Sequence, residues 1–170
     1  MEDNYDISKL KPKKKRIHSK RKGNKFERDI CKLLNERFDT KEFERSPNSG
    51  AYASTHNLPE YLKLYGDLIT PINFKYTIEC KKGYNNISFY NFLRYDSPDF
   101  WNLVKQSEKD SNQSGKPLLL ILKQDRKPAL AVIKEDIDLP NMRLKKESTC
   151  YYMYFLDDLI GLPDEFWLTQ

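Results

Sequence analysis

From Phe74 to Lys81 the chain reads Phe-Lys-Tyr-Thr-Ile-Glu-Cys-Lys, with an apolar side chain at every second position. Side chains on a strand alternate between faces, so this period of two predicts a strand with Phe74, Tyr76, Ile78 and Cys80 on one face. Lys75, Thr77, Glu79 and Lys81 then share the other. Gly66-Asp67 lies shortly upstream, and a hairpin between Gly66–Thr70 and Phe74–Lys81 across Pro71-Ile72-Asn73 would bring Asp67 back to this strand. In one register Asp67 stands opposite Glu79, about 5.5 Å away between Cα atoms. A slip of one residue turns Asp67 to the wrong face, and the turn does not choose between the two.

The surrounding elements can be read in the same way. Phe26, Ile30, Leu33 and Leu34 form one apolar stripe at helical spacing, predicting a helix over Asn24–Phe38 with Asn24 as its N-cap. Thr40–Arg45 suits a strand, residues 46–57 a loop of small polar residues, and Pro59–Leu64 a short helix. Ser97-Pro98-Asp99 is a helix start, with proline at the first helical position, and the helix runs through Trp101 and Gln106 to about Asn112. Gly115-Lys116-Pro117 ends it, and the unbroken apolar run Leu118–Leu122 predicts a buried central strand with Ala129–Lys134 as its hairpin partner. Tyr151–Phe155 is a further strand, followed by short helical pieces at Asp157–Ile160 and Asp164–Trp167. The domain division expected is a basic flexible arm over 1–22, a core over 23–134 and a C-terminal extension over 135–170 packed on that core.

Charge is unevenly distributed. The 170 residues carry a formal net charge of +5, yet ten of the 30 Lys and Arg fall between Lys9 and Lys25, where there is no acid. The remainder holds 20 basic against 25 acidic residues. Such a run, including Lys13, Lys14, Lys15, Arg16, Lys20, Arg21, Lys22 and Lys25, suits contact with nucleic-acid phosphates. A solubilising tail has the same composition, and Pro12–Arg16 also matches a nuclear-targeting pattern. Three cysteines without ligand or disulfide spacing, and no apolar leader, predict a reducing intracellular setting. No apolar run is long enough to span a membrane. His18 and His56 have no ligand-spaced neighbours, which argues against zinc.

Asp67, Glu79 and Lys81 together offer a specific chemistry. Hard divalent cations such as Mg2+ take oxygen ligands, which the two carboxylates and the Cys80 carbonyl can supply. Such a cation polarises a phosphate and acidifies a water, while Lys81 orients that water or stabilises charge growing on phosphorus. A solvated strand face would show the same Glu-x-Lys pattern. Glu27 has two readings as well: a capping-box partner of Asn24, or a further metal ligand projecting from the flank of the helix's apolar stripe. Tyr52, Tyr84, Tyr90 and Trp101 can stack on unpaired bases or pack half-buried; Lys63, Lys82 and Arg94 can meet phosphate or simply water.

The succession of these features narrows the choice. Lys22-Gly23-x-x-x-Glu27-Arg28 opens a helix, Arg45-Ser46 ends a strand, Gly66-Asp67 precedes Glu79-Cys80-Lys81, and a capped helix holding Gln106 leads to an apolar strand. Over about residues 22–134 this resembles the PD-(D/E)XK nuclease superfamily, and within it the archaeal-type Holliday-junction resolvases and their phage relatives. The resemblance implies an α/β fold, a restriction-endonuclease-like mixed sheet of four strands flanked by helices. It implies a metal-dependent endodeoxyribonuclease using Mg2+ or Mn2+, a Holliday-junction resolvase that hydrolyses phosphodiester bonds as a homodimer, with branched or duplex DNA as partner. Another nuclease of the superfamily, cutting duplex or flap DNA, and a non-catalytic nucleic-acid-binding protein are the alternatives. By position, Glu27 looks like its first acidic residue near the metal, Asp67 and Glu79 like its metal-binding carboxylates, with the Cys80 carbonyl beside them, and Lys81 like its catalytic lysine. Arg45 and Ser46 match its Arg-Ser segment, with Ser49 as an alternative serine, and Gln106 matches its polar helix position. Gly66 stands where the superfamily name has proline, which looks harmless. A phage-encoded protein working in the host cytoplasm or nucleoid fits this resemblance.

Overall fold

The computed structural model describes residues 19–47, 65–94 and 97–169. The expected helix at 59–64, together with Lys13, Lys14, Lys15, Arg16, Ser49, Tyr52 and Lys63, lies outside the described residues.

Helix α1 (Ser19–Arg37) buries Phe26, Ile30, Cys31 and Leu34, the stripe its spacing predicts. It begins five residues before Asn24, because Lys20, Arg21 and Lys22 are good helix formers and extend it. Asn24 is therefore interior to the helix and not its cap, and the capping-box reading of Glu27 falls with it.

Two short strands, β1 (Glu44–Arg45) and β2 (Leu68–Ile69), pair antiparallel with Arg45 opposite Leu68. Then come β3 (Thr77–Lys82), α2 (Phe89–Arg94), α3 (Pro98–Ser114), β4 (Leu118–Lys123) and β5 (Leu130–Ile133). The chain continues through β6 (Met142–Lys146), β7 (Thr149–Phe155), α4 (Leu156–Ile160) and α5 (Asp164–Trp167). The described residues form a five-stranded mixed sheet in the order β3-β4-β5-β7-β6, parallel at β3/β4 and antiparallel elsewhere. Among the described residues no helix is long and apolar enough to cross a membrane.

Both sheet faces are covered, which is why β4 reads as an unbroken apolar run. On one face Ile78, Leu119 and Ile121 pack with α1 residues Phe26, Ile30 and Leu34 and with Trp167 of α5. On the other, Leu118, Leu120, Val132 and Met153 pack under Phe100 and Val104 of α3. Helix α3 is the crossover that parallel β3 and β4 require. It also covers Thr77 and Glu79, so the strand face that might have been solvated is buried.

The expected hairpin does not form. β2 pairs with β1, and β3 takes β4 as its neighbour in the sheet. A single backbone bond, Asp67 N–H to the Ile78 carbonyl at 2.9 Å, joins the two segments. Phe74 and Lys75, expected to open the strand, bond instead to the C-terminus: Phe74 bridges Leu168, and Lys75 N–H donates to the Trp167 carbonyl at 2.8 Å. The sheet also exceeds the four strands expected, because β7 and β6 extend it beyond β5.

Candidate active site

Asp67 reaches β3 through an unusual local backbone. Gly66 has φ of +79°, a conformation open chiefly to glycine. A Cβ there would stand 2.7 Å from the Ile78 carbonyl oxygen and 2.9 Å from Thr77 Cγ2. Gly66 is thus required and not merely harmless, and a proline, locked near φ −65°, would not fit. With the chain this close, the Asp67 carboxylate takes the Cys80 N–H at 2.8 Å, where a hairpin would have placed a backbone carbonyl. Asp67 is in turn held from the other side by Ser46, whose N–H donates to the Asp67 carbonyl at 2.9 Å.

Glu79 and Lys81 share one face of β3, as the alternation predicts, and Lys81 Nζ donates to Glu79 Oε2 at 2.6 Å. The same ammonium lies 3.5 Å from Asp67 Oδ2, so one lysine joins the two buried carboxylates. Burial first, and the Asp67 charge second, push the Glu79 pKa up to about 8 against the opposing pull of Lys81. Burial pulls the Lys81 pKa down, but Glu79 and Asp67 outweigh it and raise it above its ordinary value. The Cys80 side chain points to the α1 face and is buried, leaving only its backbone for the chemistry.

Glu27 is buried on α1 and ion-paired through Oε2 to Arg45 Nε, while Arg45 Nη2 also donates to Asn24 Oδ1 at 3.3 Å. Arg45 leads into Ser46, which is buried with its Oγ lacking a partner among the described residues. Glu27 thus connects to Asp67 through the Arg45-Ser46 segment. Gln106 lies on the exposed side of α3. The α3 residue that acts on Glu79 is Asp110, whose charge adds to the rise in its pKa. No sequence motif marks Asp110; its position one turn along from buried Ser107 on the covering helix is the only signal.

Among the basic positions, Lys20 and Arg21 line a shallow cleft with Asn24 and Arg28 on α1, and Lys25 is exposed. Lys22 is ion-paired to Asp125 at 3.3 Å in the β4–β5 turn. Arg28, part of the helix-start motif but not assigned to DNA from the sequence, adds another cation to this surface. Trp101 packs on Phe100 and Tyr151, whereas Tyr84 and Tyr90 are exposed.

The family described as "Phage putative PDDEXK endonuclease" matches residues 18–157. The chain belongs to this family. No curated protein and no solved structure matches it. Membership makes the architecture restriction-endonuclease-like and the activity class nuclease.

Nucleases of this superfamily generally use divalent metals, and the carboxylate pair suits one. Asp67 and Glu79 offer hard oxygen donors, and bringing two carboxylates together away from water calls for positive charge between them. Among the described residues no group of three or more His, Cys, Asp or Glu could hold a metal. Asp67 and Glu79 are the two buried carboxylates that would hold such a cation, whereas the Glu27 carboxylate is engaged by Arg45.

Proposed function

We propose that this chain is a divalent-metal-dependent DNA endonuclease, using Mg2+ or Mn2+, that hydrolyses phosphodiester bonds in branched DNA and acts as a homodimer on four-way junctions. The observation that carries the catalytic part is the single ammonium of Lys81 set 2.6 Å from Glu79 and 3.5 Å from Asp67. Asp67 and Glu79 would hold the metal, with the Cys80 carbonyl as a third donor. A cation there supplies electrophilic activation of the scissile phosphate and acidifies a water. Asp67 is oriented for its task by the Cys80 N–H, which fixes one oxygen and leaves the other free to ligate. Lys81, beside both carboxylates, would orient the attacking water and face the charge growing on phosphorus. Glu27 orients Arg45, and Arg45 with Ser46 and the cations Lys20, Arg21 and Lys25 positions the DNA backbone. The junction preference is supported by the order of motifs shared with resolvases.

Asp67→Ala and Lys81→Ala should each abolish cleavage while junction binding persists. Either variant cutting at the wild-type rate would falsify the site assignment. Four-way junctions, flaps and linear duplex compared in one assay separate the substrate classes: paired symmetrical nicks confined to junctions support the resolvase reading, and equal cutting of duplex removes it. Salt-sensitive binding with no metal-dependent cleavage of any of them would mark a binding protein without catalysis. Sedimentation of the free chain and its junction complex tests the dimer.

A further inference from the structure

One cross-strand row of side chains begins at Lys81. Lys81 stands opposite Leu122 on β4, Leu122 opposite Leu130 on β5, and Leu130 opposite Phe155 on β7. Directly opposed residues share a face, and strands lie about 4.8 Å apart, so this row runs about 14 Å from the carboxylate cluster to Phe155. All four residues line one cavity of about 470 Å³, within the range of about 300–1,000 Å³ usual for small-molecule sites. The segment after β3 supplies its other wall, with Tyr84, Ile87, Tyr90 and Phe92, and Lys123 and Lys127 are on its lining too.

Ile87 and Phe92 pack against the core under α3, while the outer aromatics are presented to solvent. Four large hydrophobic side chains are exposed among the described residues, and three of them, Tyr84, Tyr90 (79% exposed) and Phe155, line this cavity. Apolar side chains gathered at one opening mark a binding surface. Tyr84 is held at φ +47°, a rare conformation for a bulky residue, directly after Gly83 at +104°. That backbone is clamped: Gln124 Nε2 donates to the carbonyls of Tyr84 at 2.9 Å and Ile87 at 2.7 Å, and Gly83 N–H donates to the Lys123 carbonyl at 3.0 Å. Strain kept in place by its surroundings at an aromatic next to Lys81 points to a ligand-facing role.

We propose that this cavity receives an unpaired nucleobase of the strand whose phosphate is presented to Lys81, so that the enzyme selects DNA in which a nucleotide beside the scissile bond is unpaired or opens from its pair, as at a branch point. The proposal rests on the nuclease reading and names its substrate class. Aromatic faces suit any base, and lysines suit the phosphates on either side of it, which is the combination that grips single strands. A base within a duplex is stacked and paired and cannot enter without being extruded. The shared lining residue Lys81 ties occupancy of the cavity to the position of the reacting phosphate.

The test uses the full chain with EDTA present, so that no cleavage occurs, and a short single-stranded oligonucleotide carrying 2-aminopurine, whose fluorescence is quenched on stacking. Binding should quench it. Tyr90→Ala and Phe155→Ala should each weaken binding about fivefold to 100-fold and reduce the quench, with Tyr90→Phe restoring both. Tyr90 is too exposed for its loss to unfold the chain, and circular dichroism checks the Phe155 variant. Unaltered affinity and quench in both alanine variants overturns the proposal, as does equal affinity for an oligonucleotide with an abasic site in place of the fluorescent base. Metal-dependent cleavage is scored separately. Cutting that persists while the quench is absent sinks the pocket and keeps the nuclease; a variant-sensitive quench without cutting does the reverse.

Discussion

Glu79 carries the largest electrostatic tension in the candidate site. It is 3% exposed and beside a second carboxylate, and its pKa is pushed up to about 8 in the folded chain from an ordinary value of 4.5. Between those two values the unfolded chain has released a proton that the folded chain keeps. Stability from this group is therefore full below about pH 4.5 and is lost as pH rises to about 8. A divalent cation binds the ionised form, so its binding should release a proton and cancel the loss. With EDTA present, the urea midpoint should fall across this window, and Glu79→Gln should flatten that part of the profile. Added Mg2+ should restore the wild-type midpoint at pH 8 and leave the variant unmoved. A variant that keeps the full wild-type slope would show that Glu79 is not the titrating group.

At the scale of elements, β3 is placed by its ladder with β4, and the segment leading into it is held by the C-terminal helix. Trp167 of α5 is fully buried, stacked on Phe74 at 5.9 Å between ring centroids and set edge-on to Tyr76 at 5.9 Å, on the segment leading into β3. Trp167→Ala should cost about 3–5 kcal/mol. Ile72→Ala, at a 95% exposed site nearby, should change stability by under about 0.5 kcal/mol. Equal urea midpoints for the two variants would contradict this packing. The elements legible in the sequence were those whose pattern is set by burial on a sheet or helix face, α1, β3, β4, β5 and β7, together with α3, marked by its Ser97-Pro98-Asp99 start, and the short helices α4 and α5. β6 was not, because Met142–Lys146 is an edge strand with only Leu144 buried and carries the charges that edges favour. The hairpin expectation failed for a related reason. Alternation gives the face of a residue but not its partner strand, and the Asp67 carboxylate occupies the Cys80 N–H that a ladder would have used. Glu79 and Lys81 could be assigned to one face from spacing alone, whereas Asp110 and the Lys81–Phe155 row depend on how the elements pack.

For the whole molecule, the uneven charge has a measurable consequence. Outside Lys9–Lys25 the acids outnumber the bases by 25 to 20, so the long-range attraction to DNA phosphates is concentrated in the basic run and the neighbouring Arg28. Each phosphate that a lysine or arginine neutralises releases counterions, and the logarithm of affinity falls with the logarithm of salt concentration by about 0.9 for each phosphate neutralised on duplex DNA. Replacing Lys13, Lys14, Lys15 and Arg16 together by alanine should weaken binding to every DNA shape by a similar factor. It should also make the salt slope shallower by about 0.9 for each phosphate that these side chains had neutralised. Discrimination between paired and unpaired DNA should remain, because phosphate contacts position the nucleic acid without reading its bases. Fluorescence-anisotropy titrations at several salt concentrations measure both quantities. A salt slope that stays the same after the four substitutions would remove the basic run from the DNA interface. A changed preference among DNA shapes would give it a recognition role that charge alone does not supply.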